Sequence, residues 1–120
     1  MQFTDLRKAI LSAFPDTVAI IHWGGACMRG KVSKGGDVDI LIVLDNNAEI
    51  SPAALLALKK KSKKFDLDAY AIRRRDLKAR SLVAIGPNGP YHMHELIHYQ
   101  LKHESEVIYG DRKILKTISP

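Results

Sequence analysis

The sequence predicts an α/β (α+β) domain, a small mixed sheet flanked by helices. Three observations lead there. Short β-branched apolar runs alternate with stretches of helical period, the pattern of strands covered by helices. The length of 120 residues fits one domain, taken as residues 1–120, and is enough to bury a core. A hydrophobic fraction of 46% and a charged fraction of 27% are ordinary globular usage and exclude a chain disordered throughout.

Thr4 to Phe14 reads as a helix, because Leu6, Ile10 and Phe14 recur every four residues with Ala9 and Ala13 beside them. Pro15-Asp16 ends it. Thr17 to Trp23 is a short apolar run rich in β-branched residues, hence a buried strand. Gly24-Gly25 breaks that strand, Ala26 to Gly30 follows as a helical turn, and Lys31 to Gly36 as a polar loop. Val38 to Leu44 is the strongest strand, closed by the turn residues Asp45-Asn46-Asn47. Ser51-Pro52 starts a helix, with serine as cap and proline in the first helical position, that runs through Leu55, Leu56 and Leu58 into lysines. Phe65 to Ile72 is a further strand and Arg74 to Leu82 a short helix. Gly86-Pro87-Asn88-Gly89-Pro90 is a loop. His94 to Glu104 is a helix, and Val107 to Tyr109 a short extended piece before Gly110.

The net charge of +6 favours phosphate-bearing partners, whether nucleotides, nucleic acid or anionic surfaces. Much of it sits in Lys59-Lys60-Lys61-Ser62-Lys63-Lys64 and Arg73-Arg74-Arg75. These runs are read as a solvated helix end and a strand exit, and lysines there complement the helix dipole. The single cysteine, Cys27, excludes an internal disulfide and fits a reducing cytosol. It is read as a packed small hydrophobe, since no neighbour in sequence marks it as activated. No apolar run approaches the roughly 18 residues that span a membrane. Met1 to Phe14 lacks a signal-peptide core, so the expected location is cytoplasmic, with no membrane partner.

Asp37 and Asp39 stand two residues apart at the start of a strand, so their side chains leave by one face, within about 7 Å of each other. Two carboxylates held that close repel unless a cation lies between them, and carboxylate oxygens are natural ligands for Mg²⁺. The strand from Phe65 to Ile72 places Phe65, Leu67, Ala69 and Ala71 on one face and Asp66, Asp68 and Tyr70 on the other. If this strand neighbours Val38 to Leu44, three carboxylates converge into a site suited to two-metal phosphoryl transfer. Taken alone, Asp37 reads as a turn residue and Asp39 as a solvated strand residue, and it is the surrounding chain that favours the metal-binding reading.

Gly24-Gly25 directly follows a buried strand, and glycines there let backbone amides approach an anion. Arg29, four residues on, is placed either to bind phosphate or to pair with a surface acid. The order His22-Trp23-Gly24-Gly25, then Arg29-Gly30, then Asp37-Val38-Asp39-Ile40 resembles the DNA polymerase beta-like nucleotidyltransferase superfamily. Its pattern is an apolar strand, Gly-Gly or Gly-Ser, a loop of about a dozen residues, and Asp-x-Asp among apolar neighbours. The likeness covers Val18 to Leu44 and extends through a later strand to Asp68, and the tail Val107-Ile108-Tyr109-Gly110-Asp111 is weakly similar. The short length resembles the minimal stand-alone members.

That resemblance implies the polymerase beta-like nucleotidyltransferase fold. It implies that Gly24 and Gly25, with Arg29, hold a nucleoside triphosphate, and that Asp37, Asp39 and Asp68 are the catalytic, metal-binding carboxylates. Asp68 is preferred to Asp66 from the family-like run Leu67-Asp68-Ala69-Tyr70. The implied cofactor is Mg²⁺ (or Mn²⁺), with ATP or another nucleoside triphosphate as substrate. AMP is the default group moved to an acceptor hydroxyl. Small members resemble antitoxins paired with a helical toxin of the HEPN type, which suggests a protein acceptor. A nucleic-acid acceptor is less favoured, and a second subunit is a candidate to complete the site. Where the family often carries serine, this chain has Gly25 and Gly36, and neither change removes a metal ligand.

Two other readings compete. One is a domain of the same fold that binds nucleotide or a partner with little or no catalysis. The other comes from His94-Glu95-Leu96-Ile97-His98, which matches the His-Glu-x-x-His zinc pattern, with His92 and His103 nearby. No third-ligand motif follows it, whereas catalytic zinc needs three protein ligands. The expectation is therefore a helix packed beside the sheet, with the imidazoles half exposed or lining the acceptor side of the cleft.

Overall fold

The computed structural model describes residues 3–30 and 35–120. Its strands are β1 (Thr17–Trp23), β2 (Asp37–Leu44), β3 (Asp66–Arg73), β4 (Leu82–Gly86), β5 (Gly89–Met93) and β6 (Glu106–Tyr109). The α-helices are α1 (Thr4–Ala13), α2 (Gly25–Arg29), α3 (Pro52–Lys61) and α4 (Glu95–His103). Short 3-10 turns occupy Arg74–Lys78 and Arg112–Thr117.

β2 carries large apolar side chains in both directions, so it has to lie inside the sheet. Val38, Ile40, Ile42 and Leu44 enter one core, Leu41 and Val43 the other. The six strands run β5-β4-β3-β2-β1-β6. Among the described residues only β2 and β3 pair in parallel, with α3 as the crossover between them, and the other neighbours are antiparallel. The sheet is therefore mixed, and helices cover both faces.

On one face, α1 contributes Leu6 and Ile10 and α3 contributes Leu55 and Leu58. Ser51 caps α3 by accepting from the Ala54 amide at 3.2 Å, with Pro52 in the first turn. Arg7 of α1 donates to the Ile108 carbonyl at 3.2 Å and ties the helix to β6. On the other face, Leu101 of α4 packs with Leu77, Ile114 and Ile118 against Ile21, Leu41 and Val43.

Three expectations need correction. The helix expected over Arg74 to Leu82 is a 3-10 turn that stops at Lys78, and Leu82 opens β4. The loop expected at Gly86 to Pro90 is the tip of a hairpin: Gly86 pairs with Gly89 around Pro87-Asn88. Pro90 is tolerated in β5 because β5 is an edge strand, where a missing N–H leaves no gap in the ladder. The strand expected at Phe65 begins at Asp66 and ends at Arg73. Of the polar loop expected over Lys31 to Gly36, 31–34 lie outside the described residues. Gly35 and Gly36 run beside Lys64 and Asp66 through backbone bonds of 3.0 Å each.

β1 also buries a histidine. His22 is 1% exposed, and neither of its ring nitrogens has a hydrogen-bond partner among the described residues. Burial lowers its pKa, outweighing the opposing pull of Glu106. Cys27 on α2 is half-buried, and burial, then Glu106, raises its thiol.

Candidate active site

The parallel register of β2 and β3 decides which carboxylates meet. Asp37 pairs with Asp66 and Asp39 with Asp68, at the start of both strands. The end of β1 arrives at the same place, since Trp23 pairs with Asp39. The chain must then turn within one residue. Gly24 does so at φ +92°, a conformation that side chains rarely adopt. A Cβ on it would stand 2.6 Å from Asp39 Oδ2, so the carboxylate lies against the turn. Gly25 opens α2, and a Cβ there would stand 3.0 Å from Arg29 Nη1. The Arg29 guanidinium thus folds back over the glycine turn. Gly30, left-handed at φ +74°, ends the helix.

The acids are unequal. Asp39 is half-buried and its pKa is pushed up to about 6, first by burial and then by Asp68, Asp37 and Asp66. Lys59 bonds to Asp66 Oδ1 and Asp68 Oδ1, each at 3.1 Å, and to the Leu67 carbonyl at 3.2 Å. These bonds raise the Lys59 pKa and hold Asp66 below the usual carboxylate range. Lys59 was expected in a solvated helix end and instead sits among the carboxylates. Topology supplies the reason: a helix that crosses between parallel strands must deliver its last turn beside the first residues of the second strand. The sequence offered that signal once the β2–α3–β3 order was read.

Four carboxylates thus start two neighbouring strands, and after burial it is their like charge that raises Asp39. The structure brings Asp37, Asp39 and Asp68 to the starts of β2 and β3, with Asp66 beside them as a fourth, exposed acid. Beside Asp68 opens a cleft of about 360 Å³ bounded by Lys59, Tyr70, Tyr91 and the Pro87-Asn88 hairpin tip. Tyr70 stacks on Tyr91 at 4.4 Å, and burial, then Tyr91, pushes its phenol up to about 12. Sequence reading missed Tyr91, because the hairpin that presents it was taken for a loop. A larger cleft of about 420 Å³, between α1 and the end of α3, touches none of the four aspartates.

The histidine-rich segment is arranged differently from a zinc-protease helix. His94 is the extended N-cap of α4 and lies outside its first turn. His98 Nε2 donates to the Ser119 carbonyl, while His92 shares a 2.9 Å bond with the Ser81 hydroxyl. His103 packs on Tyr99 at 4.7 Å. His92, His94 and His103 are exposed and His98 is half-buried. None of them lines the cleft beside Asp68.

The profile of the nucleotidyltransferase domain family matches residues 4–115. No curated protein matches the chain by sequence. Among solved structures, a spectinomycin adenyltransferase, AAD(9), from Enterococcus faecialis with ATP and spectinomycin is similar, at a TM-score of 0.71 and 12% identity. That likeness covers 99% of this chain and 59% of the other, so the chain spans less than two thirds of that neighbour. A toxin–antitoxin structure with AMP-PNP is similar at a TM-score of 0.59 and 13% identity, over 97% of this chain and 79% of that one. At such identities the likeness establishes the fold, a polymerase beta-like nucleotidyltransferase fold. No helix among the described residues is long and apolar enough to cross a membrane.

Proposed function

The chain belongs to the nucleotidyltransferase domain family, and from that premise we propose that it moves a nucleoside monophosphate from a nucleoside triphosphate to an acceptor hydroxyl in a metal-dependent reaction. The observation that carries the reading is the register that sets Asp39 beside Asp68, with the Gly24 turn closed onto Asp39. Asp37, Asp39 and Asp68 would hold Mg²⁺ or Mn²⁺, which neutralises phosphate charge when bound. The backbone of Gly24-Gly25 and the guanidinium of Arg29 orient the triphosphate.

The acceptor oxygen bonds to the α-phosphorus, and the bond from that phosphorus to the oxygen bridging to the β-phosphate breaks. Pyrophosphate leaves with that electron pair, and the hydroxyl proton passes to the Asp68 carboxylate. The cleft beside Asp68, floored by Tyr70 and Tyr91, is the acceptor entrance. Lys59, bonded to Asp68 at 3.1 Å, would have to yield that carboxylate for it to serve as a metal ligand.

ATP is the proposed donor, in keeping with two structural neighbours solved with ATP and with AMP-PNP. A protein acceptor, such as a toxin of the HEPN type, accords with the toxin–antitoxin neighbour. The test is incubation with Mg²⁺ and ATP labelled at the α-phosphate, together with candidate acceptors. Label retained on an acceptor and lost with Asp68→Asn supports the reading. Equal labelling by that variant contradicts it. A second reading, a nucleotide-binding domain with little catalysis, is favoured by one observation: the Lys59 ammonium already occupies Asp68.

A further inference from the structure

A second cluster of metal-binding side chains lies on the opposite face of the sheet. Strand alternation sends His22 inward with Ile20, toward the α1 side, whereas Asp39 leaves with Leu41. His22 Nδ1 is 3.8 Å from Glu106 Oε2, beyond hydrogen-bond length, and neither ring nitrogen has a hydrogen-bond partner among the described residues. Phe3 packs on the imidazole in a T-shaped contact, at 4.9 Å between ring centres. A buried polar ring with neither nitrogen engaged is uncommon in a folded chain and calls for an explanation.

The surroundings supply one. His22 and Glu106 are cross-strand partners in the β1–β6 ladder. α2 carries Cys27 over the same spot, its thiol 3.7 Å from the Glu104 carbonyl. The ligand atoms of His22, Cys27 and Glu106 all lie within 4.8 Å of one another. We propose that these three side chains bind Zn²⁺, with the imidazole, thiolate and carboxylate as ligands and water in the fourth position.

The donor set of nitrogen, sulfur and oxygen suits a borderline-soft ion such as zinc and does not suit Mg²⁺. Zinc–ligand bonds of about 2.0–2.3 Å place tetrahedral ligand atoms roughly 3.3–3.8 Å apart. The His22–Glu106 pair, at 3.8 Å, is wider by a few tenths of an ångström than the roughly 3.3–3.5 Å of a nitrogen–oxygen pair on zinc. The remaining closure falls to Glu106, whose side chain is 58% exposed and free to turn inward. Zinc entry displaces the thiol proton to solvent. The ion then joins β1, β6 and α2, and so steadies the helix that begins at the Gly24-Gly25 turn. The site is independent of the aspartates and does not depend on the nucleotidyl-transfer reading.

Cobalt is the informative probe, because Cys27 is the chain's single cysteine and any thiolate-to-cobalt charge-transfer band reports this site alone. Protein purified without a histidine tag and stripped with chelator is titrated with Co²⁺. The expected result is a near-ultraviolet thiolate band that saturates at about one Co²⁺ per chain and is bleached by Zn²⁺. Cys27→Ser removes the band, and Glu106→Gln weakens Co²⁺ affinity at least about tenfold. Asp39→Asn leaves the band in place. Circular dichroism establishes that each variant is folded, and Glu106→Gln, changed at an exposed position, decides the matter if Cys27→Ser unfolds. Absence of the thiolate band in the unaltered protein overturns the proposal, as does Co²⁺ affinity unchanged by Glu106→Gln.

Discussion

Asp39 Oδ2 lies 2.6 Å from the point where a Cβ on residue 24 would stand, so the Asp39 carboxylate and the Gly24 backbone share a space that no side chain can enter. The glycine is required twice, by that contact and by its φ of +92°. Gly24→Ala therefore combines backbone strain with displacement of a carboxylate. Strain of this kind costs about 1–3 kcal/mol, enough to lower Tm by several degrees. The variant is expected also to lose the rise in Tm on adding ATP with Mg²⁺. An unchanged melting curve would mean that the turn and Asp39 are not coupled.

Asp39 gives a pH signature without metal. Its folded pKa of about 6 stands above the ordinary 3.8, so the folded chain holds the proton more tightly than the unfolded chain does. The stability this contributes is fully present below about pH 4 and is lost as pH rises through about 6. Asp39→Asn removes the loss. Metal-free Asp39→Asn should exceed the parent at pH 7 by about 1 kcal/mol, once solvent screening of this half-exposed group is counted, and the gap should close at pH 4. Thermal melts at the two pH values check the sign, and a gap of the opposite sign at pH 7 refutes the assignment.

Lys59 is the cation that now neutralises Asp66 and Asp68. Lys59→Met removes a competitor of the metal. Mn²⁺ affinity, measured by electron paramagnetic resonance, should rise about three- to tenfold, which corresponds to roughly 1 kcal/mol of competition at a part-exposed site. A fall in affinity would mean that Lys59 orders the acids and does not block them.

His98 is engaged with the Ser119 carbonyl and does not line the cleft beside Asp68. His98→Ala should leave ATP-dependent labelling of an acceptor within about tenfold, because a group outside the reacting centre costs at most one or two kcal/mol of transition-state stabilisation. A loss of several hundredfold would return the His94–His98 segment to the chemistry.

Much of this arrangement is legible in the sequence. The run Thr17–Trp23 and the capped start at Ser51-Pro52 carry their own period and punctuation, and both stand where expected. The convergence of Asp37, Asp39 and Asp68 follows from strand alternation once β2 and β3 are neighbours, and the parallel crossover makes them so. The β4–β5 hairpin was not legible, because Gly86, Pro87, Gly89 and Pro90 read as breakers, and it is the edge position of β5 that accommodates Pro90. The partnership of Lys59 with Asp66 and Asp68 spans seven and nine residues and needs the crossover to form. The His22–Glu106 pairing spans most of the chain, and local periodicity carries no trace of it.

The central claim is that the aspartate cluster and the glycine turn hold a metal-bound triphosphate. The most direct measurement is anomalous diffraction from crystals grown with Mn²⁺ and a non-hydrolysable ATP analogue. The account predicts manganese density between Asp37 and Asp39, with the triphosphate against Gly24-Gly25 and Lys59 withdrawn from Asp68. Manganese absent from these carboxylates, or nucleotide bound in the cleft between α1 and the end of α3, would contradict it.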